Sequence, residues 1–349
     1  MFLKKCKVRS FYIFCAVITS AALIFSGVFM SFSTDGALAV AKDGEKGFIK
    51  WVDFGVSYSA LNDCLKYDVG TYGTDKHTSW IDLLAYLACK NGGNFKSYKQ
   101  SDLKKVTDEL EKGTSLETLA SKYKVFSYYQ EAYTGVLGGF VGEFEIEKED
   151  EDGKLVIEKK YGLKAFSPIA KGYSYSHSDD FGNARSYGFK RKHLGHDMMG
   201  SVGTPVIAVE SGYVECVGWN RYGGWRIGIR SFDKKRYYYY AHLRKDHPYN
   251  DIYEGKVVNA GEVIGYLGMT GYSTKENVNN INTPHLHWGM QLIFDESQKD
   301  ALAEIWIDVY AITRLLEQNK STVYRPEGEK DFFRKYQMFE PEIEVFFED

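Results

Sequence analysis

The chain has 349 residues, 44% of them apolar and 16% aromatic, which leaves room for two domains with extras and for well-buried cores. A net charge of −3 gives no general case for a nucleic-acid partner. With 27 Tyr and 34 Gly against 6 Pro, the composition favours a turn-rich β domain with aromatic surfaces over a disordered chain.

Residues 1–10 carry Lys4, Lys5, Lys7 and Arg9 and no acid, and residues 11–32 then run without a charge. At 1.5 Å per helical residue this run is about 33 Å long, enough to cross a hydrocarbon core of about 30 Å. The basic flank is expected to stay in the cytoplasm and the body to lie outside, as a single-pass membrane protein. Cleavage near Ala39 or Ala41, within "GALAVAK", is the alternative and would release a secreted product. The run is longer than a signal core, which favours a retained anchor. Small and polar residues over 33–48 read as a linker.

Residues 49–140 read as a helical region. In "SWIDLLAYLACKNGG", Ser79 and Asp82 cap a helix whose apolar face is Trp80, Leu83, Leu84, Leu87 and Ala88, and Asn91-Gly92 stops it. A second helix is expected from a Ser101 cap to Gly113, with Leu103, Val106 and Leu110 as its stripe. "GTSLETLASKYKV" opens like a LysM glycan-binding repeat, but its continuation is helical and lacks the second strand of such a module. No cluster of titratable residues stands out here, so a packing or positioning role is expected. Cys64 and Cys89 lie on predicted helices, either bonded to each other or as buried thiols, and no C-x-x-C pair exists for a thiolate zinc site.

The texture changes near residue 141. "FEIEKEDEDGKLVIEKKYG" is a hairpin turning at Asp152-Gly153, and short alternating runs follow to residue 294. The expected class is α+β: a transmembrane helix, a helical region, then an antiparallel sheet, sandwich or open barrel, over 141–320. An amphipathic helix over 303–317 (Ile305, Trp306, Val309, Ile312, Leu315, Leu316) should close it, and 321–349 reads as a peripheral acidic tail.

Five histidines and an aspartate stand out in this sheet region. "HLGHD" places His193, His196 and Asp197 within five residues, "YYYYAHL" ends a strand at His242, and "HLH" sets His285 and His287 two apart on one strand face. A histidine alone is more often a core or surface residue. Two on one strand face with a His/Asp cluster elsewhere point to zinc, whose catalytic sites take three protein ligands and leave one position for water. Spacing does not decide between His193 and His196.

Residues 193–290 resemble the lysostaphin/LytM-type zinc metallopeptidases, which cut peptide bonds in peptidoglycan and have a duplicated hybrid motif fold. The resemblance rests on H-x-G-x-D as "HLGHD", then "GTPVIAVESGYV", "YYAHL", "GKVVNAGEVIGYLGMTGYST" and H-x-H as "HLH", in the family's order. It implies one zinc per chain held by His193, Asp197 and His287. It makes His285 and His242 the catalytic histidines, one passing the proton of water to the leaving amine and the other donating to the oxyanion, and it leaves His196 a bystander. The residues "KENVNNINT", 275–283, are an insertion relative to the family pattern and are expected either to wall the cleft or to form a surface loop. The implied activity is an exported zinc endopeptidase acting on cell-wall peptide. A catalytically silent wall-binding or scaffolding member of the same fold is the alternative, and the retention of all five positions weighs against it.

Overall fold

The computed structural model describes residues 47–186, 190–299, 303–340 and 343. The expected anchor at 11–32 and its flanks lie outside them. Among the described residues no helix is long and apolar enough to cross a membrane.

Five helices come first among the described residues: α1 (Tyr58–Thr71), α2 (Trp80–Asn91), α3 (Gln100–Glu111), α4 (Leu116–Ala120) and α5 (Phe126–Leu137). Ser79 caps α2 by accepting from the Ile81 N–H, and Gly92 ends it in the left-handed region at φ 60°. Helix α3 starts before its expected cap. Lys99 is the N-cap residue, and the Asp102 carboxylate, three residues on, accepts from its N–H. The Asp102 carboxylate thus satisfies the N–H of the N-cap residue, the reciprocal half of a capping box, and Ser101 lies inside the helix instead of capping it.

The strands follow: β1 (Val141–Glu149), β2 (Leu155–Leu163), β3 (Ala184–Ser186), β4 (Lys190–Lys192), β5 (His196–Met199), β6 (Pro205–Ile207), β7 (Gly212–Asn220), β8 (Gly224–Ser231), β9 (Arg236–Ala241), β10 (Val257–Val258), β11 (Val263–Tyr266) and β12 (His285–Leu292). Beyond them come β13 (Ile305–Ile307), α6 (Tyr310–Leu316), β14 (Val323–Tyr324), β15 (Phe333–Arg334) and β16 (Met338–Phe339). The main sheet is antiparallel in the order β10-β7-β8-β9-β12-β13, with β5 pairing the N-terminal half of β12.

The expected closing helix is shorter than its apolar pattern. Ile305 and Ile307 are buried with Trp306 half-exposed between them, a period-two pattern that completes the sheet edge beside β12, and the helix begins only at Tyr310. The tail is also less peripheral than its composition suggests: β16 pairs with β1, and the buried Glu340 carboxylate accepts from Lys164 Nζ at 2.7 Å. Cys64, Cys89 and Cys216 are free thiols.

Helices and sheet share one hydrophobic core, in which Leu61, Leu83, Leu84 and Val136 join Ile227, Tyr238, Leu286 and Trp288. At the seam, the buried Arg236 guanidinium pairs with Glu210 at 2.8 Å and donates to the Gly135 carbonyl at the end of α5. The helical region also contains a titratable cluster that was not expected. Asp68, 1% exposed, accepts from Trp80 N–H, His77 Nε2 and Tyr161 Oη, each at 2.8 Å. These partners lie 9 to 93 residues from Asp68, so their convergence is invisible to local pattern reading.

Candidate metal centre

Strand register assembles the site. On β12, His287 stands opposite Asp197 of β5 on one side and Ala241 of β9 on the other. Side chains directly opposed across a ladder share a face, so Asp197 joins His285 and His287 there. His242 follows the last residue of β9, and His193 precedes Asp197 by four.

The His193 Nε2, His287 Nδ1 and Asp197 Oδ1 atoms form a triangle with sides of 2.9, 3.0 and 3.0 Å. A tetrahedral ion about 2.0–2.1 Å from each donor needs donors about 3.3 Å apart, a few tenths more than these sides. The second atom of two of the ligands is already committed. His193 Nδ1 donates to the Asp180 carbonyl at 3.1 Å, which leaves Nε2 with a lone pair. Asp197 Oδ2 accepts from Arg185 at 3.2 Å, which leaves Oδ1 for the cluster. Burial opposes ionisation of Asp197, yet its close contacts with the His193 and His287 imidazoles hold its carboxyl well below the usual range. Burial likewise holds the His287 imidazole below its ordinary value and so neutral, despite the opposing pull of Asp197. Two imidazoles and a carboxylate converging on one point fit zinc.

Gly195 has a steric reason to be glycine. A Cβ there would lie 2.5 Å from the His287 ring and 3.0 Å from the Trp288 carbonyl. The third position of H-x-G-x-D is the floor on which a ligand ring rests.

His285 and His242 stand beside the triangle with ring centroids 4.7 Å apart. His285 Nδ1 donates to Thr283 O at 2.8 Å and His242 Nδ1 to Thr270 O at 2.9 Å. Carbonyls only accept, so Nδ1 carries the proton in the neutral form of both rings and Nε2 is the nitrogen left to exchange one. His285 Nε2 is 3.7 Å from Asp197 Oδ1. Burial, reinforced by His285 and His287, pushes the His242 imidazole well below its usual value. The oxyanion-donor role expected for His242 therefore requires it first to take a proton at Nε2. His242 adopts φ 62°, a left-handed conformation costly for a non-glycine residue and often found at functional sites.

His196 is outside the triangle but is more than a bystander. It is buried, with Nε2 2.8 Å from His177 Nδ1 and Nδ1 3.2 Å from Asp180 Oδ1, so neither nitrogen is available to an ion. Burial, with His177 beside it, lowers its imidazole to about 4. Asp180 and Arg185, which sequence reasoning missed, lie upstream of the motif and carried no local signal.

The 275–283 insertion is anchored. Asn277 Oδ1 accepts from Trp225 Nε1 and from the Asp246 N–H, both at 2.9 Å, and the loop's last residue, Thr283, supplies the carbonyl that orients His285. None of its residues lines the small metal pocket or the groove beside it. That groove, about 620 Å³, runs from His287 past Tyr239 and Leu194 to Trp306 and shares Arg191 and Tyr222 with the metal pocket.

Residues 191–300 match the model of peptidase family M23. This segment is an M23 peptidase domain. Over 159 residues the chain is 42% identical to the L-Ala--D-Glu endopeptidase of Bacillus subtilis, covering 43% of this chain and 48% of that protein. Over 97 residues it is 41% identical to lysostaphin of Staphylococcus simulans, covering 28% of this chain and 17% of lysostaphin. The chain thus spans about half or less of the curated relatives it matches. A lytM-type structure from Ruminococcus gnavus superposes with a TM-score of 0.50 at 24% identity, covering 78% of this chain and 91% of that one, a likeness of fold.

Proposed function

We propose that this chain is a zinc endopeptidase that hydrolyses peptide bonds in cell-wall peptidoglycan, held at the membrane by residues 11–32 with its body outside the cell. The observation that carries the reading is the inward-pointing triangle of His193, Asp197 and His287 with two bare imidazole Nε2 atoms beside it, at one end of a groove that can take an extended peptide. The M23 domain and the names of its relatives, an L-Ala--D-Glu endopeptidase and lysostaphin, support the reaction class. The basic flank and long apolar run at the N-terminus support export to where peptidoglycan lies.

Zinc, when bound, supplies a Lewis acid for the scissile carbonyl and makes hydroxide accessible near neutral pH. His285 takes the proton of the attacking water at Nε2, with Nδ1 fixed on Thr283, and returns it to the leaving amine. His242, once protonated at Nε2, donates to the oxygen that gains charge. The two rings act as one proton-holding pair. Arg185 and Asp180 hold the ligands in place and leave the reacting atoms alone.

Digesting purified peptidoglycan with the zinc-loaded full-length protein, and identifying new amino termini by mass spectrometry, tests this. New termini at one kind of peptide bond, lost on chelation and restored by zinc, are expected. Undigested wall with zinc bound would favour the silent wall-binding alternative.

A further inference from the structure

Strands β3 and β4 put two arginines at directly paired positions, Arg185 opposite Arg191. Like charges facing each other across a ladder are destabilising. Arg185 is neutralised, since its guanidinium reaches Asp180 at 3.1 Å and Asp197 at 3.2 Å. Arg191 is not: among the described residues no carboxylate lies within ion-pair distance of it. Its guanidinium sits between the Tyr222 and Tyr272 rings, 5.7 and 5.5 Å from their centroids, and donates one hydrogen bond to Tyr272 Oη. Its Nε is buried without a hydrogen-bond partner, so the Tyr272 hydroxyl is the one side-chain acceptor the described residues give this guanidinium.

Its position is specific. Arg191 lines both the metal pocket and the groove, and Tyr272, which accepts from it, lies 5.8 Å ring to ring from His242. Of the other groove cations, Arg230 and Lys299 are committed to Glu215 at 2.6 and 2.9 Å, and Lys192, though it has no ion pair among the described residues, does not line the metal pocket as Arg191 does. A guanidinium with aromatic neighbours, one hydrogen bond and no ion pair keeps further Nη–H donors for a charge-assisted hydrogen bond to a carboxylate.

We propose that Arg191 selects the substrate by binding a free carboxylate on the residue adjoining the scissile bond, so that this site prefers an acidic peptide to a neutral or glycine bridge. This rests on the peptidase reading of the same site and narrows its substrate class. Arg191 is a specificity residue. The reacting atoms belong to His285 and His242.

The test uses the zinc-loaded full-length protein and two peptides spanning an L-Ala–D-Glu bond, identical except that the free carboxyl of D-Glu is ionised in one and a carboxamide in the other. Binding is read by calorimetry and cleavage by mass spectrometry. The wild type should prefer the carboxylate peptide by about 10- to 100-fold, the range of a charge-assisted hydrogen bond. In Arg191→Gln the preference should fall to about one, Arg191→Lys should recover part of it, and Lys190→Gln, which removes a charge from the exposed side of the same strand, should keep it. Zinc content and thermal midpoint show whether each variant is folded, and Arg191→Lys keeps the test sound if Arg191→Gln is not. No preference in the wild type, or one that survives in Arg191→Gln, overturns the assignment. A wild type that binds the carboxylate peptide preferentially but cuts neither upholds the carboxylate site and refutes the peptidase reading.

Discussion

Asp68 in the helical half and Asp197 in the sheet half are both buried carboxylates with a histidine at hydrogen-bond distance, yet they do different work. Asp68 is surrounded by an N–H of the main chain, a phenol and one imidazole, and these tie α1 to the start of α2 and to β2. Asp197 faces three imidazoles, His193, His287 and His285, at 3.0, 3.0 and 3.7 Å. The first set is closed, because the carboxylate satisfies its donors and they satisfy it. The second converges lone pairs on one point, which is tolerable in a buried site only when a cation or protons complete it. The difference between a structural tie and a metal centre lies in how many acceptors converge, and burial alone does not reveal it.

Substitutions can break this contrast, and the largest effects belong to the sheet half. His193→Ala, Asp197→Ala and His287→Ala should each release the zinc and abolish cleavage, measured as metal per chain alongside rate. His285→Ala should keep its zinc and lose about 10²–10⁴-fold in turnover, and His242→Ala about 10²–10³-fold. A fully active, zinc-loaded His285→Ala would show that the pair is not the proton holder. Gly195→Ala drives a methyl against the His287 ring and should weaken zinc affinity by about 10–100-fold, the usual effect of disturbing a ligand's support, as read by competition with a chelator. Asp68→Ala should have the smallest effect on chemistry. It leaves three donors without their acceptor and should cost about 1–3 kcal/mol of stability in a denaturant titration, with rate per folded molecule and zinc content unchanged. Loss of zinc in that variant would mean that the two halves are coupled and the contrast is false.

The parts of this molecule legible in its sequence are those governed by short periods. Two-residue alternation put His285 and His287 on one face, and the cap at Ser79 with the stop at Gly92 bounded α2, because each signal is local. The stretch at 303–317 misled because its apolar residues suit a helix until β12 offers an edge: Ile305 and Ile307 gain ladder hydrogen bonds there that the helix pattern cannot anticipate. His196 was read as a bystander from its place in a motif, while its burial and its bonds to His177 and Asp180 depend on residues 19 and 16 positions away. Arg185, Asp180 and the steric role of Gly195 were illegible for the same reason. They act on the ligands through space.

The central claim is that His193, with its Nε2 left bare by Asp180, is a ligand and His196, with both nitrogens committed, is not. Elemental analysis of zinc in purified His193→Ala and His196→Ala, both confirmed to be folded, tests it most directly. The account predicts no stoichiometric zinc in His193→Ala and about one ion per chain in His196→Ala, as expected for a site with three protein ligands. Zinc retained in His193→Ala and lost from folded His196→Ala would contradict it.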